Sequence, residues 1–358
     1  MSRRAVGRAT LARQHLLARA TVPAIDAVEH LAGMQCQAPL APYVGLWTRL
    51  QGFRSDDLSR LIERRQVVRL HMMRNTLHLV SAADCLAWRA LFDPLLRAEF
   101  AAHFRLDVDQ LGGPELFGHA RELLRLRPQT RRELGRLLNE RWPGSDPTAL
   151  AYAVTHHLPV CQVPPRGVWG KSGQAKWALV EDWLGAPLRV APVDDLVRRY
   201  FGAFGPATVA DVQVWSGLTR LAEVIERMGL HVFRGPDGQT LFDLPDAPRP
   251  AEDTPAPPRF LPEYDNLLLS HQDRGRVNPD GRPVPLPPGN GATSGTFLID
   301  GVWRGTWSVR DSAVHVEPFG RLPAGDRDPL LDEAARLATL VVGPDGGEVV
   351  LDRVPLTR

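Results

Sequence analysis

The sequence predicts an α+β fold: three tandem winged helix-turn-helix units followed by a C-terminal β-barrel-like domain. Two observations carry this. A pattern of short helix, small or glycine-bearing turn, second helix and β-hairpin recurs three times. After a linker with six prolines among residues 245–258, the texture changes to short strands separated by Asp-Gly turns. At 358 residues the chain is too long for one ordinary core and suits several small ones. The expected boundaries are 1–82, 83–188, 189–250 and 259–358.

The third repeat is the clearest. Residues 193–204 form an amphipathic helix with Leu196, Val197, Tyr200 and Phe201 on one face. Thr208 caps a helix through Trp215, and Ser216-Gly217 makes the turn. Residues 219–228 form the next helix, closed by Gly229. Strands at 230–233 and 240–244, around Gly235-Pro236-Asp237-Gly238, make the wing. The second repeat reads as helices at 114–125, 131–139 and 147–157, with wing strands at 160–163 and 167–171. In the first, helices are expected at 24–34, 43–51 and 56–64. Its wing strands lie at 67–72 and 76–80, with Arg74-Asn75 at the tip. The C-terminal part reads as strands at 260–270, 295–299, 302–309, 313–318 and 348–354, and a helix at 329–340. Trp303 and Trp307 alternate onto one strand face, as barrel core.

Composition narrows the function classes. The net charge of +2 says nothing of partners, and 41 of the 43 basic residues are arginine. That bias fits a GC-rich coding sequence, and it fits bidentate contacts to phosphate equally well. Lys171 and Lys176 are the two lysines, so lyase chemistry through a lysine Schiff base is disfavoured. Three well-separated cysteines, Cys36, Cys85 and Cys161, fit a reducing cytoplasm and argue against a disulfide framework or zinc ribbon. No secretory signal, membrane span, phosphate-binding loop or dinucleotide fingerprint is found. No metal or cofactor is expected: His156-His157 with Cys161 has poor ligand spacing. Asp265 and Asp273 fit structural hydrogen bonding better than acid catalysis. Architecture alone points first to a non-catalytic winged-helix DNA-binding protein or transcription regulator.

The informative segment is Met34-Gln35-Cys36-Gln37-Ala38-Pro39-Leu40-Ala41-Pro42-Tyr43, followed by Val44-Gly45-Leu46-Trp47. It resembles the AlkZ-like DNA glycosylases, a winged-helix superfamily found largely in bacteria. Members carry a Gln-hydrophobic-Gln motif, then Ala-Pro and an aromatic-Gly-Leu-Trp stretch. The likeness continues in Met73-Arg74-Asn75-Thr76-Leu77-His78-Leu79-Val80. It returns in Leu261-Pro262-Glu263-Tyr264-Asp265-Asn266 through His271, with Asp273-Arg274, and in Asp300-Gly301-Val302-Trp303-Arg304-Gly305-Thr306-Trp307. Cys36 stands at the hydrophobic middle position, where a buried thiol serves as a small hydrophobe.

The resemblance implies a monofunctional glycosylase that hydrolyses the glycosidic bond of an N7-alkylated purine, bulky or crosslinked, in DNA repair or self-resistance to a genotoxin. It implies Gln35 and Gln37 as the catalytic pair, with Gln37 the stronger holder of water. A cationic base leaves without acid assistance, and an oxocarbenium-like centre reacts with neutral water, so positioning by carboxamides suffices. The partner would be double-stranded DNA containing an alkylated purine, bound by a cytoplasmic monomer. Candidate DNA contacts are Arg74 and His78 at the first wing, His271, Arg274 and Arg276 near the barrel, and a proline- and glycine-rich loop at 278–292. Extrusion of the base and attack from the minor-groove side are both compatible with the sequence.

Overall fold

In the computed structural model, which describes residues 1–284 and 294–352, the chain opens with an element absent from the sequence reading. Helix α1 (Arg3–Arg13) buries Arg8 and Arg13 alongside Val6, Ala9 and Leu11. Its last arginine makes a bidentate pair with Asp243, at 2.6 and 2.8 Å, with both side chains sealed from solvent. Arginines inside a helix blur the apolar periodicity that would have announced it.

The first repeat follows as α2 (Ala24–His30), β1 (Met34–Gln35), α3 (Ala41–Trp47), α4 (Ser55–Glu63), β2 (Val67–His71) and β3 (Leu77–Ser81). The helix expected over 24–34 therefore ends four residues early. Leu31 caps it, Ala32 and Gly33 turn with φ of +54° and +87°, and the chain leaves as a strand. Helices α5 (Ala82–Trp88) and α6 (Asp93–Phe104) connect to the second repeat. This comprises α7 (Gly113–Leu126), β4 (Gln129–Thr130), α8 (Arg131–Arg141), α9 (Pro147–His157), β5 (Val160–Val163), β6 (Lys176–Leu179) and α10 (Val180–Leu184). Thr130 and Glu133 form a reciprocal capping box that starts α8.

The strand expected at 167–171 is not one; β6 takes its place. Val168 and Trp169 belong instead to the core of the first repeat. Tyr43 Oη donates to Gly167 O at 2.9 Å and accepts from Trp169 N at 3.0 Å. The strands of the first two repeats are joined. One six-stranded sheet runs β1-β3-β2-β5-β6-β4, bridged where Arg69 of β2 faces Gln162 of β5.

The third repeat holds α11 (Val193–Phe204), α12 (Val209–Ser216), α13 (Ala222–Glu226), β7 (His231–Arg234) and β8 (Thr240–Asp243). Thr208 and Asp211 box the start of α12. Tyr200, Phe201, Phe204 and Trp215 pack with Trp88 and Phe92 in a core shared with the earlier helices.

The C-terminal part corrects the expected barrel. Strands β9 (Arg259–Leu261), β10 (Gly295–Ile299), β11 (Val302–Arg310), β12 (Ala313–Pro318) and β13 (Glu348–Leu351) form an open sheet of order β13-β12-β11-β10-β9. Helix α14 (Ala324–Val341) seals one face. Its Leu330, Ala334, Leu337 and Ala338 pack on Phe260, Phe297, Trp307 and Val316, so the sheet has no apolar reason to curl onto itself. A register shift between Phe297 and Leu298 sends Trp303 and Trp307 into different clusters rather than onto one face. The long strand expected at 260–270 is only Arg259–Leu261, followed by a 3-10 turn at Asn266–Leu268. Residues 285–292 of the expected loop and 353–354 of the expected last strand lie outside the described residues. No helix among the described residues is long and apolar enough to cross a membrane.

Candidate active site at the Gln35–Gln37 segment

Gln35 ends an edge strand and Gln37 follows in the bend after it, so neither sits on a helix end. Gly33 makes that possible: a Cβ there would come within 2.6 Å of Val80 Cγ1 and 3.1 Å of Leu79 O. The glycine lets the chain drop against β3 with Met34 opposite Leu79 and Gln35 opposite His78. Side chains alternate along such a segment. Cys36 turns into the core and is fully buried.

Each residue of the motif is tied down. Cys36 N donates to Leu77 O at 2.8 Å, and Arg69 Nη2 donates to Cys36 O at 2.7 Å. The same guanidinium reaches Cys36 Sγ at 3.2 Å and Gln162 Oε1 at 2.8 Å. Gln37 Oε1 accepts from Leu77 N at 3.0 Å. Gln35 Oε1 accepts from Arg74 Nη2 at 2.7 Å. Gln35 is 7% exposed, and Gln37 is half-buried.

Beside Gln35 lies a small, mainly apolar cavity, with Gln14, Arg49, Asp265 and Asn266 as polar members of its lining. Arg49 grips Asp265 through two bonds of 2.9 Å and Gln14 Oε1 through one of 3.0 Å. Asp265 also accepts from Leu267 N at 2.9 Å, fixing the 3-10 turn that carries Asn266. Asp265 is thus an ion-paired, capping carboxylate.

The other candidates fall in different places. Arg74 has φ of +54° and folds back from the tip of the β2–β3 hairpin toward Gln35, Asn266 and the Trp215 carbonyl. Burial and the neighbouring Arg274 guanidinium lower its pKa to about 10, so it stays charged at neutral pH. His78 is fully enclosed, its Nδ1 3.1 Å from Thr76 O. His271 Nε2 lies 3.0 Å from Phe204 O and its Nδ1 3.0 Å from Ser270 Oγ. Burial pushes the pKa of both histidines well down. Arg276 donates to Pro206 O at 2.9 Å and Thr10 Oγ1 at 3.1 Å, closing α1 onto the turn after α11. Arg274 is half-buried at the surface, and no described carboxylate pairs with it. Sequence reasoning missed Arg69 and Asn266. Nothing in the sequence marks Arg69 as inward-facing; Asp265 reads there as a structural hydrogen-bonding carboxylate and Asn266 as part of a family-like stretch, with no site role for Asn266. Among the described residues, no group of three His, Cys, Asp or Glu side chains is placed to hold a metal.

The AlkZ-like DNA glycosylase family model matches residues 28–340, a span that contains the glutamine segment and nearly all of the fold. The chain belongs to the AlkZ-like DNA glycosylase family. Its fold is similar to that of Streptomyces sahachiroi DNA glycosylase AlkZ, with a TM-score of 0.72 over 98% of this chain and 99% of that one, at 21% sequence identity. No curated relative matches the sequence.

Proposed function

We propose that the chain is a monofunctional DNA glycosylase that hydrolyses the N-glycosidic bond of N7-alkylated purines, bulky or crosslinked, in duplex DNA, acting as a monomer in DNA repair. The observation that supports it is that Gln35 and Gln37 flank Cys36 on a segment whose backbone is held from both directions. A purine alkylated at N7 is cationic, so the C1′–N9 bond breaks with the base leaving neutral. The oxocarbenium ion then takes the oxygen of water, and the water's proton passes to solvent. A site for this reaction has to hold one water and keep its geometry, without a strong base.

The two glutamines differ in a way that suits Gln37 for the water. Its carbonyl accepts from a neutral backbone amide and its side chain is the more exposed. The Gln35 carbonyl faces a guanidinium, which draws its acceptor density away from any developing sugar cation. The test is excision of 7-methylguanine from a defined duplex, read as strand scission at alkali-opened abasic sites. Scission by the wild type that is lost in Gln37→Ala, with duplex affinity kept, supports the reading. Duplex binding without scission across several alkyl adducts would overturn it in favour of a DNA-binding regulator.

A further inference from the structure

We propose that Arg74 is a positioning residue that fixes the carboxamide of Gln35, and that the site is assembled through it from three separate parts of the chain. The inference rests on the glycosylase reading above and adds a residue to it. A guanidinium carries donors and no acceptor, so the Gln35 atom facing it has to be the carbonyl oxygen. Arg74 thereby decides which way the amide is turned. Both Nη2 hydrogens are engaged, one by Gln35 Oε1 at 2.7 Å and one by Asn266 Oδ1 at 2.9 Å. Nη1 donates to the carbonyl of Trp215, in the last turn of α12, where the negative end of the helix favours a cation. The planar fork is held by oxygens from β1, from α12 and from the turn after β9.

The surroundings are built for this seat. Arg74 occupies the left-handed backbone region, which a non-glycine residue adopts only at a cost in strain. That conformation aims the side chain inward from the hairpin tip. Gly217, with φ of +77°, lets the end of α12 close in: a Cβ there would lie 3.1 Å from Arg74 N and 3.2 Å from its Cα.

The charge balance separates Arg74 from the structural arginines. Arg13 and Arg49 are each paired bidentately with a buried carboxylate, Asp243 and Asp265. Among the described residues no carboxylate pairs with Arg74; neutral oxygens alone hold it, and Arg274 repels it. A cation withdrawn from water without a counter-charge weakens a fold. Its placement is explained by what it orients.

A double-mutant cycle on the full chain tests this, using single-turnover excision of 7-methylguanine at saturating protein. Arg74→Met should lower that rate roughly tenfold or more, and Asn266→Ala several-fold. Duplex Kd should stay within about twofold, because the effect is on geometry rather than on phosphate contact. In a Gln35→Ala background neither change should cost more than about a further twofold. Arg74→Lys, which keeps the charge and one donor direction, should recover part of the loss. Losses that multiply with Gln35→Ala, or a weakened Kd at an unchanged saturating rate, would overturn the proposal while leaving the glycosylase reading intact. A wild type that binds duplex and never excises would remove both. If circular dichroism shows Arg74→Met unfolded, the Asn266→Ala arm of the cycle decides.

Discussion

The carbonyl oxygen of Gln37 accepts from the Leu77 amide at 3.0 Å, one step past the bond from Cys36 N to Leu77 O. A side chain here continues a ladder that the backbone began. Gln37 is anchored to the backbone of β3, whereas the Gln35 carbonyl faces the Arg74 guanidinium. Gln37→Ala should lower single-turnover excision by roughly a hundredfold, and Gln35→Ala by about tenfold. Rapid-quench measurement on a 7-methylguanine duplex checks the order, and the reverse order would make Gln35 the water-holder.

Gly33 sets the exit from α2. Replacing it with alanine places a methyl group against Val80 and forces a non-glycine residue to φ of +87°. The expected cost is about 1–3 kcal/mol in urea unfolding. Excision should fall as well, because Gln35 is two residues away. Gly52 has φ of +69° but nothing within 4 Å of a Cβ. Gly52→Ala is the control for backbone strain alone.

Asp265 neutralises Arg49 beside the cavity next to Gln35. Asp265→Asn keeps the cap on the 3-10 turn and removes the counter-charge, leaving a buried guanidinium unbalanced. A loss of about 3 kcal/mol is expected in chemical denaturation. Excision per folded molecule should change little, since Asp265 is read as scaffold rather than acid.

Acid should destabilise the fold before it affects chemistry. Burial lowers the pKa of His71 and His78 to about 3 from 6.5. Groups depressed in this way contribute full stability above pH 6.5 and lose it as pH falls, by about 1.4 kcal/mol per unit for each. Asp84 works in the opposite sense. Burial raises its carboxyl to about 6 from 3.8, so its contribution is present in acid and disappears as pH rises through 6. The histidines outweigh it: His71, His78 and Asp84 together should cost on the order of 3 kcal/mol between pH 7.5 and 5, and the lowered pKa values of His15, His156 and His271 add to the loss in the same direction. Urea midpoints across that range check this, and His78→Asn should flatten the slope.

Arg274 remains the best placed of the five expected DNA contacts, since His78, His271 and Arg276 are tied to interior carbonyls. Arg274→Gln should weaken duplex binding across unrelated sequences. It should also reduce the slope of log affinity against log salt by about one. Fluorescence anisotropy at several salt concentrations reads both.

What the sequence made legible follows from capping. Helices α9 and α11 and strands β5, β10 and β12 fall where they were expected, because Asp146 or a proline marks the helix starts and turn residues bracket the strands. The motif itself was found, but its setting was not. Residues 24–34 keep helical spacing through Met34, and only the paired positive φ values of Ala32 and Gly33 reveal the break. Helix α1 hid behind buried Arg8 and Arg13, whose partners, Asp300 and Asp243, lie 292 and 230 residues away. Val168 and Trp169 looked like a strand because they are apolar, yet they fill a core begun by Tyr43. Long-range polar pairing of this kind leaves no trace in local spacing.

The bridge from Arg69 to Gln162 has a mechanical result. Arg69 grips Cys36 and Gln162 at once, so the strip bearing the glutamines is riveted to the seam between the first two repeats. No hinge can open there without tearing that grip. On the proposed reading, any curvature at that seam would come from the duplex and not from a hinge between β2 and β5, which would favour lesions that soften the double helix.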